Sequence, residues 1–180
     1  MFKLERENAK ITHLNLRSEK HGDENTPTCD IKVSVDVAAE RLGDIHPGLC
    51  ESLYRQPTTG DQIALIDKKA EKAFTVIRHP GLEPVKLKQK FPGYELLVFA
   101  PGSDDDEDGI AFVDGEVKNF TIIPREGGTT TITFSVGTEV DEDDISGLLP
   151  FLRDPDAVLT LTPPSRQAES TDQQDMAEAA

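Results

Sequence analysis

Ile31, Val33, Val35 and Val37 alternate with Lys32, Ser34 and Asp36. A period of two puts every second side chain on the same face, so this stretch reads as a half-buried strand with one wet side. Thr130, Ile132, Phe134 and Val136 repeat the pattern against Thr129, Thr131, Thr133 and Ser135. β-Branched and aromatic residues suit such a pleated surface. These two segments commit the core to β-structure.

The rest of the chain supplies shorter strands. Thr12, Leu14 and Leu16 alternate with His13 and Asn15, and a polar stretch from Ser18 to Thr28 reads as a long loop. Phe74 to Ile77, Tyr94 to Phe99 and Val158 to Leu161 read as strands bounded by proline–glycine or proline–proline pairs. Ile110 to Val113 runs into Asp114-Gly115, which predicts a two-residue hairpin turn before a strand from Val117 to Ile123. Glu126-Gly127-Gly128 predicts a second turn.

Helical spacing is confined to two places. Ala38 to Tyr54 fits two short pieces, with Pro47 opening the second and the pairs Leu49–Leu53 and Cys50–Tyr54 each on one face. Ile145, Leu148, Leu149 and Leu152 follow a helical spacing that Pro150 interrupts. The expected fold is mainly β: an antiparallel β-sandwich, or an open barrel, with one or two short helices. With 180 residues, the chain suits a single domain over residues 1–163 and a disordered acidic tail over 164–180.

The net charge of −15 opposes generic nucleic-acid binding, where neutralised phosphates supply much of the affinity. The N-terminal Met1-Phe2-Lys3-Leu4-Glu5-Arg6-Glu7 is charged and lacks the apolar core of a secretory signal. No stretch approaches the roughly 18 apolar residues of a membrane span. A soluble, intracellular protein with no membrane partner is expected. Cys29 and Cys50 make a poor disulfide framework and read as free, buried thiols.

The acidic residues are clustered. Asp104, Asp105, Asp106, Glu107 and Asp108 form one run, and Glu139, Asp141, Glu142, Asp143 and Asp144 form a second. Both follow apolar, β-like stretches. Such blocks are solvated loops, a cation site, or an imitation of a phosphate backbone. Asp104, Asp106 and Asp108 with Gly109 match the opening of a calcium loop, but its twelfth position is Gly115 and Glu116 comes one place late. The second block suits a helix start before Ile145. The histidines and cysteines show no zinc spacing, and no nucleophile elbow or phosphate loop is present. No metal, no cofactor and no catalytic residue are expected.

One basic strip stands apart. Lys86, Lys88 and Lys90 at strand spacing would share a face, near Phe91 and Tyr94. Such a face can follow a single strand's backbone and offer a ring for stacking.

His13-Leu14-Asn15-Leu16-Arg17-Ser18-Glu19-Lys20-His21-Gly22-Asp23, followed by Asp30 and an alternating strand, resembles the start of a family of uncharacterised phage and prophage proteins. Glu126-Gly127-Gly128 and the threonine-rich strand to Val136 resemble that family's C-terminal hairpin. The similarity spans Ile11 to Pro163 and carries over no catalytic or binding residue. It implies a bacteriophage origin and a host-cytoplasm location. The expected function is therefore a non-enzymatic phage protein that binds a host or phage protein with a basic surface. An anti-defence inhibitor whose acidic loops mimic nucleic acid is its sharpest form. A single-stranded DNA-binding or recombination accessory protein, carried by Lys86, Lys88, Lys90 and Tyr94, is the alternative.

Overall fold

The computed structural model describes residues 1–21, 24–58, 73–82, 84–102 and 109–164. Two long strands, β1 (Leu4–His21) and β2 (Glu24–Ala38), form a hairpin. Short helices α1 (Leu42–Ile45) and α2 (Leu49–Leu53) follow, with β3 (Tyr54–Arg55) paired to β4 (Val76–Ile77). Then come β5 (Val85–Leu87), β6 (Phe91–Phe99), β7 (Ile110–Pro124) and β8 (Thr129–Glu139). Helix α3 (Glu142–Leu148) continues into a 3-10 turn (Leu149–Leu152), and β9 (Asp156–Thr162) ends the fold.

Six strands run antiparallel in the order β7-β6-β9-β1-β2-β8, and β8 pairs back onto β7. The sheet is a closed barrel, which leaves no free edge along its circumference. Of the two expected architectures the barrel is the one found, and it is closed rather than open.

Alternation fills the interior. Ile31, Val33, Val35 and Val37 from β2 meet Ile132, Phe134 and Val136 from β8, Leu96 and Val98 from β6, and Leu159 and Leu161 from β9. Phe2 enters from the N-terminus. Its ring meets Phe120 and Phe134 edge-on at 6.0 and 5.7 Å. Burial of such a ring is worth about 1.5–3 kcal/mol. The opening residues, read only for their charges, thus contribute to the core. Leu4, Ala9 and Ile11 point inward from a strand that starts well before Thr12. Its outward face carries the charged residues that hid it.

Four other expectations need correction. Within the stretch read as a loop, Ser18–His21 and Glu24–Thr28 are ladder: Ser18 pairs with Pro27 and Arg17 with Thr28. This outer part of the hairpin projects beyond its neighbours, since β9 reaches only Lys10 of β1 and β8 only Thr28 of β2. Both faces of the projecting arm are mostly polar, so no alternation marks it. Asp114-Gly115 is not a turn. β7 continues through it, Asp114 takes φ 54°, and the β6 register shifts on both sides of the Tyr94–Gly115 pair. The left-handed tolerance of Asp is used for a bulge.

Lys86, Lys88 and Lys90 do not share one strand. Only Lys86 lies in β5. The gap between β5 and β6 falls opposite the β7 irregularity between Lys118 and Thr121, where Asn119 takes φ 59°. Finally, the Phe74–Ile77 strand is only Val76–Ile77.

Two expectations hold. Glu126-Gly127-Gly128 turns β7 into β8 with both glycines at positive φ, 87° and 81°. The expected helices are present and short. Tyr54 locks the end of the α1–α2 segment onto that turn: its hydroxyl donates to Thr129 O at 2.7 Å, lies 2.8 Å from Thr130 Oγ1 and accepts Arg125 N–H at 2.9 Å. Among the described residues no helix is long and apolar enough to cross a membrane.

Candidate functional site

The second acidic block joins β8 to α3. Glu139 closes β8 opposite Thr28, and Val140 is buried behind it. Asp141 is the N-cap of α3. Its Oδ1 accepts the Asp144 N–H at 2.8 Å, while Asp144 Oδ2 accepts the Asp141 N–H at 3.0 Å. This reciprocal capping satisfies two helix-start donors. Glu142 and Asp143 occupy the exposed first turn between them. Of the five carboxylates, Asp141 and Asp144 are thus committed to local structure, while Glu139, Glu142 and Asp143 are exposed.

The first acidic block, Asp104, Asp105, Asp106, Glu107 and Asp108, lies outside the described residues. Its downstream anchor is well placed, however. Ile110 packs under α3: a Cβ added at Gly147 would come within 2.8 Å of Ile110 Cδ1. Ile110, at the start of β7, therefore abuts the helix that carries the second block.

Beside α3 runs a charged cleft of about 470 Å³ whose walls include Arg17, Glu19, Glu116, Lys118, Glu139 and Asp144. Its cations are occupied. Arg17 is 2.8 Å from both Glu19 and Asp30. Lys118, with a largely buried side chain, is 3.2 Å from both Asp30 and Glu116. Lys90 is 3.2 Å from Glu116. Burial pulls the Glu116 pKa up, but the hydrogen bonds and charges of Lys90 and Lys118 outweigh it and hold the carboxyl below its ordinary value. Gly137 makes room for this chain of charges, since a Cβ there would sit 2.9 Å from both Lys118 Nζ and Asp30 Oδ1. Among the described residues neither Glu142 nor Asp143 takes part in an ion pair.

The basic strip is dispersed. Lys86 and Lys88 are exposed, Lys90 is tied to Glu116, and Tyr94 is 1% exposed. A base cannot stack on a ring inside the barrel. Phe91 is partly buried and packs on Tyr94 and Phe120.

The cysteines lie towards opposite ends of the barrel. Cys29 pairs with Thr138 near the end of β8, whereas Cys50 sits on α2 by Tyr54, which bonds to the start of β8. Burial raises both thiol pKa values, that of Cys50 to about 11 with help from the Glu51 and Glu40 charges. Thiols held protonated at neutral pH are poor nucleophiles and poor ligands. Among the described residues no group of three or more His, Cys, Asp or Glu side chains converges as a metal ion requires. A further cleft of about 650 Å³ has mixed walls in which Lys10 pairs with Asp156 at 2.7 Å and Arg125 reaches Asp36 through Thr131 Oγ1.

Comparison with family models, with curated proteins and with solved structures finds no match for this chain.

Proposed function

We propose that the protein is a non-enzymatic binding module that recognises a basic surface on a protein partner through the acidic junction of β8 and α3. One observation carries this reading. The chain's own cations in the neighbouring cleft are spent on Glu19, Asp30 and Glu116, while Glu142 and Asp143 stand exposed beside them with no ionic partner among the described residues. Carboxylates on a rigid barrel rim attract and orient a basic partner by complementary potential.

The phage setting rests on the resemblance of His13–Asp23 and Glu126–Val136 to phage and prophage proteins. Within it the sharpest form is an inhibitor of a host defence protein, with Glu139, Asp141, Glu142, Asp143 and Asp144 and the run Asp104–Asp108 standing in for phosphates. The host cytoplasm is then the place of action. Single-stranded DNA binding through Lys86, Lys88 and Lys90 is the weaker reading, because Tyr94 offers no stacking face and Lys90 has an acidic partner.

The test is capture from a bacterial host lysate with the wild-type chain and with an E139Q/E142Q/D143N variant that keeps the Asp141–Asp144 cap. A partner held by the wild type and lost by the variant supports the reading. Equal capture by both overturns it. A mobility shift of labelled single-stranded oligonucleotide at low salt would favour the alternative.

A further inference from the structure

The barrel's apolar interior does not stop at the rim. Leu14 and Leu16 continue it along the projecting part of the β1–β2 hairpin, and Leu16 pairs with the buried Cys29. Opposite them, Ile145, Leu149 and Leu152 recur at spacings of four and three residues along α3 and its 3-10 turn. Leu148, which also lines the groove, and Phe151 are buried and hold the segment in place. The two walls enclose an apolar groove of about 200 Å³ floored by Cys29. Leu16, Leu149 and Leu152 are 53%, 53% and 63% exposed, three of the largest apolar exposures on the described surface, and all three converge here. Single exposed leucines are ordinary, but three lining one groove mark a contact surface.

We propose that this groove seats an amphipathic, basic segment of a partner protein, with apolar side chains between Leu16 and the Leu149–Leu152 wall and lysines or arginines over Glu142 and Asp143. This deepens the preceding reading and rests on it. The choice of occupant comes from charge. From Glu139 to Asp156, the stretch that builds one wall, the chain carries seven acidic residues against one basic, Arg153. Glu142 precedes Ile145 by three positions, so the acid end and the apolar row lie on the same side of α3. A second copy of the chain brings a net charge of −15 to the same place and is repelled. Residues 165–180 of the chain itself carry four acidic residues and one arginine, the wrong sign for this seat. An amphipathic helix with apolar residues at i, i+3, i+4 and i+7 and basic residues elsewhere matches both features.

The probe is a synthetic peptide with leucines at those spacings and lysines at the remaining positions, titrated into the full chain while side-chain methyl resonances are followed. Saturable shifts are expected at Leu14, Leu16, Ile145, Leu149 and Leu152. The L149S/L152S variant, which alters exposed side chains at unchanged charge, is expected to fold normally and bind at least about tenfold more weakly, or about 1.4 kcal/mol. The same peptide with glutamate for lysine is expected not to bind. Shifts confined to other methyls, or equal binding by L149S/L152S, would overturn the proposal. So would equal binding of the glutamate peptide. Concentration-dependent shifts of the same methyls without peptide would assign the groove to a second copy instead. In lysate capture, loss of the partner by E139Q/E142Q/D143N but not by L149S/L152S sinks the groove alone, whereas loss by neither sinks the parent reading.

Discussion

Asp141 and Asp144 cap each other: each side chain accepts the other's backbone N–H, at 2.8 and 3.0 Å. This pair divides the second acidic block into residues that build α3 and residues that face outward. Replacing Asp141 by Ala should cost about 1 kcal/mol of stability. Glu142→Gln and Asp143→Asn should stay within about 0.5 kcal/mol of wild type. Urea unfolding of the three variants checks the split. Equal losses at all of these positions would show that the block acts only as a helix start.

Two buried tyrosines make opposite predictions. The Tyr54 hydroxyl satisfies Thr129 O and the Arg125 N–H and lies against Thr130 Oγ1. Tyr54→Phe should therefore destabilise by about 1–3 kcal/mol, since it strands buried polar groups. The Tyr94 hydroxyl is buried without a protein hydrogen-bond partner. Tyr94→Phe removes a desolvated group and should be neutral or stabilising. Thermal midpoints of the two variants measured side by side decide it.

The Lys118–Asp30–Glu116 cluster should show in acid. The Glu116 pKa lies below its ordinary value of 4.5, so its contribution is complete above that pH and is lost as pH falls through the lowered folded-state value. Glu116→Gln should flatten the acid limb of the stability curve by lowering stability above pH 4.5, where the charged carboxylate contributes, while changing little at its most acid end. Gly137→Ala should destabilise at all pH values, because its methyl group would collide with Lys118 and Asp30. Denaturant midpoints across the acid range test both.

Cys50 makes the alkaline counterpart. Its thiol pKa rises from 9.0 to about 11. Below pH 9 the thiol is protonated whether the chain is folded or not, and its contribution is complete. Between pH 9 and 11 the unfolded chain releases the proton first, so stability falls. Cys50→Ala should reduce that fall. The native thiol should also react slowly with a disulfide reagent at neutral pH and rapidly in denaturant.

The sequence announced a strand wherever one face was apolar and the other polar, as over Ile31–Val37 and Thr129–Val136. It concealed strands whose pairing leaves both faces wet, as in Ser18–Lys20 and Asn25–Pro27. It also concealed β1 before Thr12, where charged outward residues outnumber Leu4, Ala9 and Ile11. Asp114-Gly115 carries turn chemistry, yet the ladder to β6 runs through it, so pairing overrode a local preference. The acidic junction was visible because charge is written in the residues themselves. The apolar groove was not, since Ile145, Leu149 and Leu152 follow the same spacing as core residues. Only the burial of Leu148 and Phe151 beside the exposed Leu149 and Leu152 shows which of these side chains are covered.

The proposed recognition of a basic protein surface falls to the acidic junction of β8 and α3. The most direct measurement is the affinity of a captured partner for wild type and for E139Q/E142Q/D143N at low and high salt. Wild-type binding is expected to weaken steeply as salt screens exposed charge, and the variant is expected to lose at least about tenfold at low salt with little further salt dependence. Affinity that is indifferent both to salt and to the three substitutions would contradict it.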